Sequence, residues 1–546
     1  MKISAALAFI AVGFAQESPV IKVDTRLVQF SVIVLDKNDK NAPVAGLKKE
    51  DFTLVDHGKV RPISLFQVAD SRLAPASERP RTPAITLDPG VFTNEINAAP
   101  NATVVMFDAI NTAFPDRAYA RLQIVKLIEQ LKPADRLAIY LLDRKGVHVI
   151  HDFSSDTASL IETIKAIRPM LADPDFGASG NAQVDTLRAT MPGAGALIEM
   201  TIAANAALQL QQARSSVGFT QQALISIAQH FASVPGRKSL IWISSGFPIS
   251  IGDSRNLTTF ALSVDRASKA LIDANVHVYP VDPKGVLGAS VYTAETPTSH
   301  ADTRSETPQL PSQVLGSPEH DTMQKIADRT GGKAYLNQNN IADSVRHAID
   351  DATLTYTLGF YLPQNEMDGK YHETKITVTH KGLIVQARKG YFAFGSPVEQ
   401  DPAIRRQIIG QAARAPLDAT ALPIRMRIDK SADSKSAHIV CAFDPKSLTF
   451  LQAQGKYTAA LEILLAQVSD AGNNLTTLPK AFGLNYSPER YEQVLRDGID
   501  WETTVVLRPG TKKIRVVLFD RNSGSVGSLT APASGNFALQ TRPAAD

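Results

Sequence analysis

From Thr103 to Ile349, short unbroken apolar runs alternate with stretches of helical periodicity. That alternation restricts the fold more than any other feature of the chain. Val104–Phe107, Leu137–Leu142 and Leu240–Ile243 are apolar throughout, and Val276–Val281 is apolar except for His277. A strand with one wet face alternates in polarity, whereas a strand covered on both faces reads as a continuous run. Between these runs lie helical faces: Ile124, Leu127, Ile128 and Leu131 after Pro115, then Leu224, Ile227, Ala228 and Phe231 before Pro235-Gly236, then Leu257, Phe260, Ala261 and Val264. Gly146–His151 returns from a tight turn and is expected antiparallel at a sheet edge. Later, Ser317-Pro318 opens a helix that stops at Gly331-Gly332, and Asn340–Ile349 forms the last one, with Asp343 completing a cap. Strands alternating with helices over about 250 residues predict an α/β fold with a doubly wound, mostly parallel sheet.

The flanks have a different period. Val28, Phe30, Val32 and Val34 repeat at two, and Phe52–Val55 and Ile63–Phe66 follow around the turn at Asp56–Lys59. Residues 20–70 therefore read as a β-sandwich segment, and 71–101, rich in Pro and Ser, as a linker. The α/β domain is placed at 102–352. Strands follow at Leu354–Leu362, Glu373–His380 and Leu383–Tyr391, within 353–395. They are open to completing the N-terminal sandwich, which would make the α/β domain an insertion. A helical linker is expected over 396–418 and a second all-β sandwich over 419–542.

Bulk charge and cysteine use exclude several classes. Lys plus Arg number 57 and Asp plus Glu 54, a balance of +3 with no basic run, so neither nucleic acid nor an anionic membrane is expected as partner. The single cysteine, Cys441, lies in an apolar strand pattern and forbids an intramolecular disulfide. Lys2, the apolar stretch Ala5–Phe14 and the small residues Gly13 and Ala15 read as a signal peptide over 1–15, which predicts a secreted or periplasmic protein. No later run is long and apolar enough for a transmembrane anchor. There is no Gly-x-Ser-x-Gly elbow, His-Glu-x-x-His pair or lysine phosphate loop.

In an open α/β sheet, ligands sit beyond the carboxyl ends of the strands. There the sequence offers Asp108, Asn111 and Thr112, then Ser244-Ser245-Gly246, then Asp282, with Thr220 in reach from the loop expected ahead of the helix that stops at Pro235. These are oxygen donors, the kind that suit Mg²⁺ or Ca²⁺. Equally, Asp108, Asn111 and Thr112 can serve only to satisfy free backbone N–H groups where the first helix begins.

The motifs Phe107–Thr112, Gly236–Trp242, Ser245–Pro248, Thr330–Gly332 and Lys389–Tyr391, with the earlier Gly46–Phe52, occur in order. Together they resemble the secreted bacterial family of acidobacterial VWFA-related proteins over about residues 20–395. The resemblance implies a Rossmann-like von Willebrand factor A domain flanked by β-sandwiches. It also implies non-catalytic adhesion or assembly through a protein partner. Measured against the metal-dependent adhesion site of A domains, Asp108 and Thr112 match, Ile110 replaces a hydroxyl and Ser245 replaces a carboxylate. The metal set expected from this degenerate site is Asp108, Asn111, Thr112, Thr220, Ser245 and Asp282. Two other readings stay open: a metal-dependent hydrolase at Asp108 and Asp282, and a structural envelope or matrix component. In the binding reading, the loops at 170–195 and 285–316 would touch the partner.

Overall fold

The computed structural model describes residues 25–39, 42–70, 87–88, 90–96, 102–112, 114–131, 137–167, 195–234, 236–246, 250–251, 258–283, 318–338, 340–351, 353–393, 402–430, 435–453 and 455–533. The signal peptide read at 1–15, the contact loops read at 170–195 and 285–316, and most of the 71–101 segment lie outside them.

The chain is a mixed α/β protein with several sheets. Its central sheet has five strands in the spatial order Val276–Val281, Lys238–Ile243, Thr103–Asp108, Leu137–Asp143, Gly146–Ser154. The first four are mutually parallel and the last pairs antiparallel at the edge. Successive residues of a strand face opposite sides, and here both sides are covered. Val104 and Met106 pack with Trp242, Leu224 and Phe231 on one face, while Val105 and Phe107 pack with Ile124, Leu127 and Val345 on the other. This double burial is why the runs carry no polar alternation.

The N-terminal strand Thr25–Asp36 finds its partners far along the chain. It pairs antiparallel with Leu354–Pro363 and with Leu383–Gln386, and Phe52–Asp56 pairs with Tyr371–Val378. One core joins both ends: Phe30, Phe52 and Leu54 pack with Tyr356, Phe360 and Tyr391.

Two sequence expectations need correction. The segment 71–101 is more than a linker, because Val91–Thr93 pairs with the strand Ile424–Lys430 of the C-terminal sheets. Asn94 fixes the junction: its amide donates to the carbonyls of Ala419 (2.7 Å) and Leu422 (2.9 Å) and its oxygen accepts from the Ile424 N–H (2.7 Å). Three residues are too few to show a period, so their partner alone makes them a strand. Nor is 396–418 a spacer. Its helix, Pro402–Arg414, buries Ala412 and Ala413 against Val517 and Phe519. The C-terminal core between the two sheets holds Cys441 fully buried, and burial pushes its thiol up to about 12. That thiol is a packing group rather than a nucleophile.

The α/β domain meets the N-terminal sandwich across a cluster of buried cations. Arg237 donates to Ser31 Oγ (3.1 Å), the Tyr279 hydroxyl (2.8 Å) and the Gly331 carbonyl (3.1 Å), and its guanidinium lies 3.2 Å from His277 Nε2. Arg388 donates to the Gln29 carbonyl (2.6 Å) and sits over the Phe30 ring. Burial first, then Arg237, Arg388 and Lys238, hold His277 well below its ordinary 6.5. A histidine kept neutral when folded but charged when unfolded contributes stability present above about 6.5 and lost as pH falls. The expected loss from His277 approaches about 1.4 kcal/mol per pH unit in acid. His277→Gln should flatten the fall in melting temperature between about pH 6.5 and 5; an unchanged profile would show that the burial of this ring is not what acid disrupts.

Candidate functional site: the carboxyl rim of the central sheet

The register puts the sequence-predicted residues on one rim. Phe107 pairs with Ile243 and Ile243 with Val281, so the next residues, Asp108, Ser244 and Asp282, form a row. With neighbouring strands about 4.8 Å apart, the two carboxylates at the ends of that row stand roughly 10 Å from each other.

Asp108 is buried at 2% exposure and takes hydrogen bonds from five donors. Oδ1 accepts from the backbone N–H groups of Ile110 and Asn111, both at 3.0 Å, which shapes the loop after the strand. Oδ2 accepts from Asn111 Nδ2 (2.7 Å), Trp242 Nε1 (3.0 Å) and Ser244 Oγ (2.9 Å). The indole reaches it because Trp242 pairs with Met106, and residues 106 and 108 share a face. Asn111 also donates to Thr220 Oγ1 at 2.8 Å; Thr220 lies within the long helix Gly195–His230 and not in a loop ahead of it, so this bond ties the rim to that helix. Burial raises the Asp108 carboxyl above its usual value, opposed by the bonds from Asn111, Ser244 and Trp242. The N–H groups that Asp108 satisfies belong to Ile110 and Asn111, in the loop ahead of the helix Phe114–Glu129, so it orders the loop and the neighbouring strand and not the helix's own free N–H groups.

The other predicted ligands are occupied differently or lie apart. The Thr112 carbonyl accepts from Arg117 Nε at 2.7 Å, which sets a guanidinium beside the loop. Thr112 Oγ1 and Ser245 Oγ are buried without a hydrogen-bond partner. Asp282 is bound at 2.6 Å by His320 Nε2, from the first turn of the helix Pro318–Thr330. Sequence reading missed His320, and the signal available was only its place just inside a helix whose start faces the rim. It also preferred Ser245 to Ser244; Gly246, at φ +77°, turns the chain so that its N–H donates to Ser244 Oγ (2.9 Å).

This donor set does not fit Mg²⁺ or Ca²⁺. A hard dication needs about six oxygens and, for Mg²⁺, room for several waters. Here the one central carboxylate has both oxygens engaged, the second carboxylate is held by a histidine, and an arginine stands beside the loop. The space lined by Phe107, Asp108, Thr112, Arg117 and Ile243 does not admit a water-sized sphere. Among the described residues, no group of three His, Cys, Asp or Glu side chains is arranged to hold a metal. Elsewhere, His148 pairs with Asp143 (3.0 Å), the last residue of the neighbouring strand Leu137–Asp143, and His151 with Ser159 Oγ (2.8 Å). No described helix is long and apolar enough to cross a membrane.

No family model matches the chain, and no curated protein does. Among solved structures, it is similar to a von Willebrand factor type A protein from Catenulispora acidiphila. That likeness has 12% identity and a TM-score of 0.24, and covers 87% of this chain and 73% of that one. A likeness of that size assigns neither fold nor activity.

Proposed function

We propose that the chain is an exported, non-catalytic protein-binding module, built on a Rossmann-like von Willebrand factor A-type domain whose rim works without a metal ion. The observation that carries this reading is the saturation of Asp108: five donors use its oxygens for the fold, leaving neither ligand nor base. A rim whose central carboxylate is spent on the fold is suited to presenting a fixed surface to a partner. Export rests on the leader-like residues 1–15. The α/β domain is read as an insertion into the N-terminal sandwich, supported by the pairing of Thr25–Asp36 with Leu354–Pro363.

The test is a thermal melt with and without divalent cations. A ligand that binds only the folded state adds about 2.7 kcal/mol at a hundred times its Kd. Mg²⁺ or Ca²⁺ at about 10 mM should therefore leave the melting temperature where a chelator leaves it. Partner capture from culture fluid should likewise survive the chelator. A metal-dependent rise in melting temperature, lost in Asp108→Asn, would overturn the metal-free reading and return the hydrolase alternative to first place.

A further inference from the structure

The helix Pro402–Arg414 leaves part of the sheet beneath it uncovered. It packs Ala412 and Ala413 over Val517 and Phe519. Beside it, over the strands Lys456–Val468 and Asn474–Tyr486, lies a cleft of about 390 Å³, within the roughly 300–1,000 Å³ typical of small-molecule sites. Three successive cross-strand pairs form its floor: Glu462 with Ala481, Ile463 with Lys480, and Leu464 with Pro479. Side chains alternate across a sheet, so Glu462, Leu464, Pro479 and Ala481 share the face under the helix, while Ile463 belongs to the core between the sheets. The wall is one flank of the helix, Arg406, Ile409 and Gly410, which the i, i+3, i+4 spacing brings together. Gly410 is the unexpected member. Its φ is not positive, and a Cβ there would meet only the tip of Arg414, at 3.5 Å. Glycine weakens a helix interior relative to alanine, and neither backbone geometry nor crowding calls for it here. What the missing side chain provides is room in the cleft wall.

Charge selects the occupant. Arg406 lines the cleft, and the Arg414 guanidinium lies over Gly410. Among the described residues, neither arginine forms an ion pair. The carboxylate among the lining residues, Glu462, is already engaged by Arg405 Nε at 3.1 Å and stands 3.6 Å from Arg521 Nε. The cleft therefore joins an apolar floor to cations in excess, and an arginine fork suits a carboxylate. A strand from another chain fits less well. Among the described residues Asn474–Tyr486 pairs only with Lys456–Val468, but Pro479 withholds an N–H in the middle of that edge strand.

We propose that this cleft binds a small amphiphile with a single anionic head, a fatty-acid carboxylate in its simplest form. The head sits at Arg406 and Arg414, and the apolar body lies over Ile409, Leu464, Pro479 and Ala481. The site is on the C-terminal sheets and shares no residue with the rim, so this inference and the metal-free binding reading can each fail alone.

Equilibrium dialysis of the full chain against radiolabelled octanoate tests it, with a Kd between about 10 µM and 1 mM expected. Acetate, which has the head alone, and 1-octanol, which has the chain without the charge, should each compete at least about 10-fold less well than unlabelled octanoate. Arg406→Gln should weaken octanoate binding about 10-fold or more, through loss of a charge-assisted contact. Gly410→Leu should abolish binding by filling the wall. Its circular dichroism should be unchanged and its melting temperature no lower, because leucine is the better helix former. The proposal is overturned by a chain that retains no octanoate at about 5 mM, by octanol competing as well as octanoate, or by either variant binding octanoate as the parent does.

Discussion

Asp108→Ala is expected to destabilise the α/β domain by about 3–5 kcal/mol, the range seen when one side of a buried charged network is removed. The substitution strands three side-chain donors, Asn111 Nδ2, Trp242 Nε1 and Ser244 Oγ, and two backbone N–H groups, in a place water does not reach. A stranded buried donor costs about 1–3 kcal/mol, more than the modest net gain from making the bond. Ser244→Ala, which deletes one donor to Asp108 and strands only the Gly246 N–H, should cost less, about 1–2 kcal/mol. Denaturant unfolding followed by Trp242 fluorescence reads both. Equal costs for the two would mean that Asp108 is one more hydrogen-bonding residue and not the anchor of the rim.

The pH dependence of that cost has an unusual sign for an aspartate. Burial raises the Asp108 carboxyl above its usual value near 3.8. The folded state then binds the proton more readily than the unfolded chain, so its contribution is greatest in acid and declines as pH rises through the folded value. The deficit of Asp108→Ala should accordingly be widest at the acid end and narrow toward neutrality. An aspartate held by a salt bridge would show the reverse.

Gly332→Ala should be nearly as damaging, for a reason of space alone. A Cβ at Gly332 would stand 1.9 Å from the Val278 carbonyl oxygen and 2.6 Å from its carbon. Val278 belongs to a strand paired with Lys238–Ile243 and is fully buried, so the obstructing atoms are backbone that cannot swing aside. The preceding Gly331 takes φ +79°, and both glycine N–H groups donate to the Ala327 carbonyl, ending the helix Pro318–Thr330 tightly against the sheet. Overpacking a core commonly costs about 1–3 kcal/mol, and a clash with backbone belongs at or above the upper end. Gly218 offers the contrast. It lies within the long helix with nothing within 4 Å of its would-be Cβ, so Gly218→Ala should stabilise by about 0.5–1 kcal/mol. Thermal melts of the two variants should move in opposite directions; a mild effect at Gly332 would mean the helix end yields.

The reading of local order in this chain came from period alone. Three unbroken apolar runs, and a fourth broken only by His277, mark strands that are now seen with packed residues on both faces, and Gly146–His151 was legible as an edge because it returns from a tight turn. Short pieces were not legible. Val91–Thr93 has too few residues to carry a pattern, and the helix Pro488–Asp497 follows Ser487, a cap that was present but unread. The run Leu383–Tyr391 looks like one strand and divides into Leu383–Gln386 and Gly390–Phe392, which pair with different partners.

At the rim, the sequence by itself named the atoms: Asp108, Asn111, Thr220 and a serine after Leu240–Ile243 are where strand ends must bring polar groups together. What each oxygen does was decided by tertiary structure. Whether Asp108 faces a metal or a set of N–H and O–H donors depends on the reach of Trp242 from the neighbouring strand and on Asn111 bridging to a helix more than a hundred positions away. Likewise, Asp282 is spoken for only because the helix Pro318–Thr330 begins beside it and delivers His320. Period along a chain fixes which way a side chain points; the competition for a buried carboxylate is settled among residues that only folding makes neighbours.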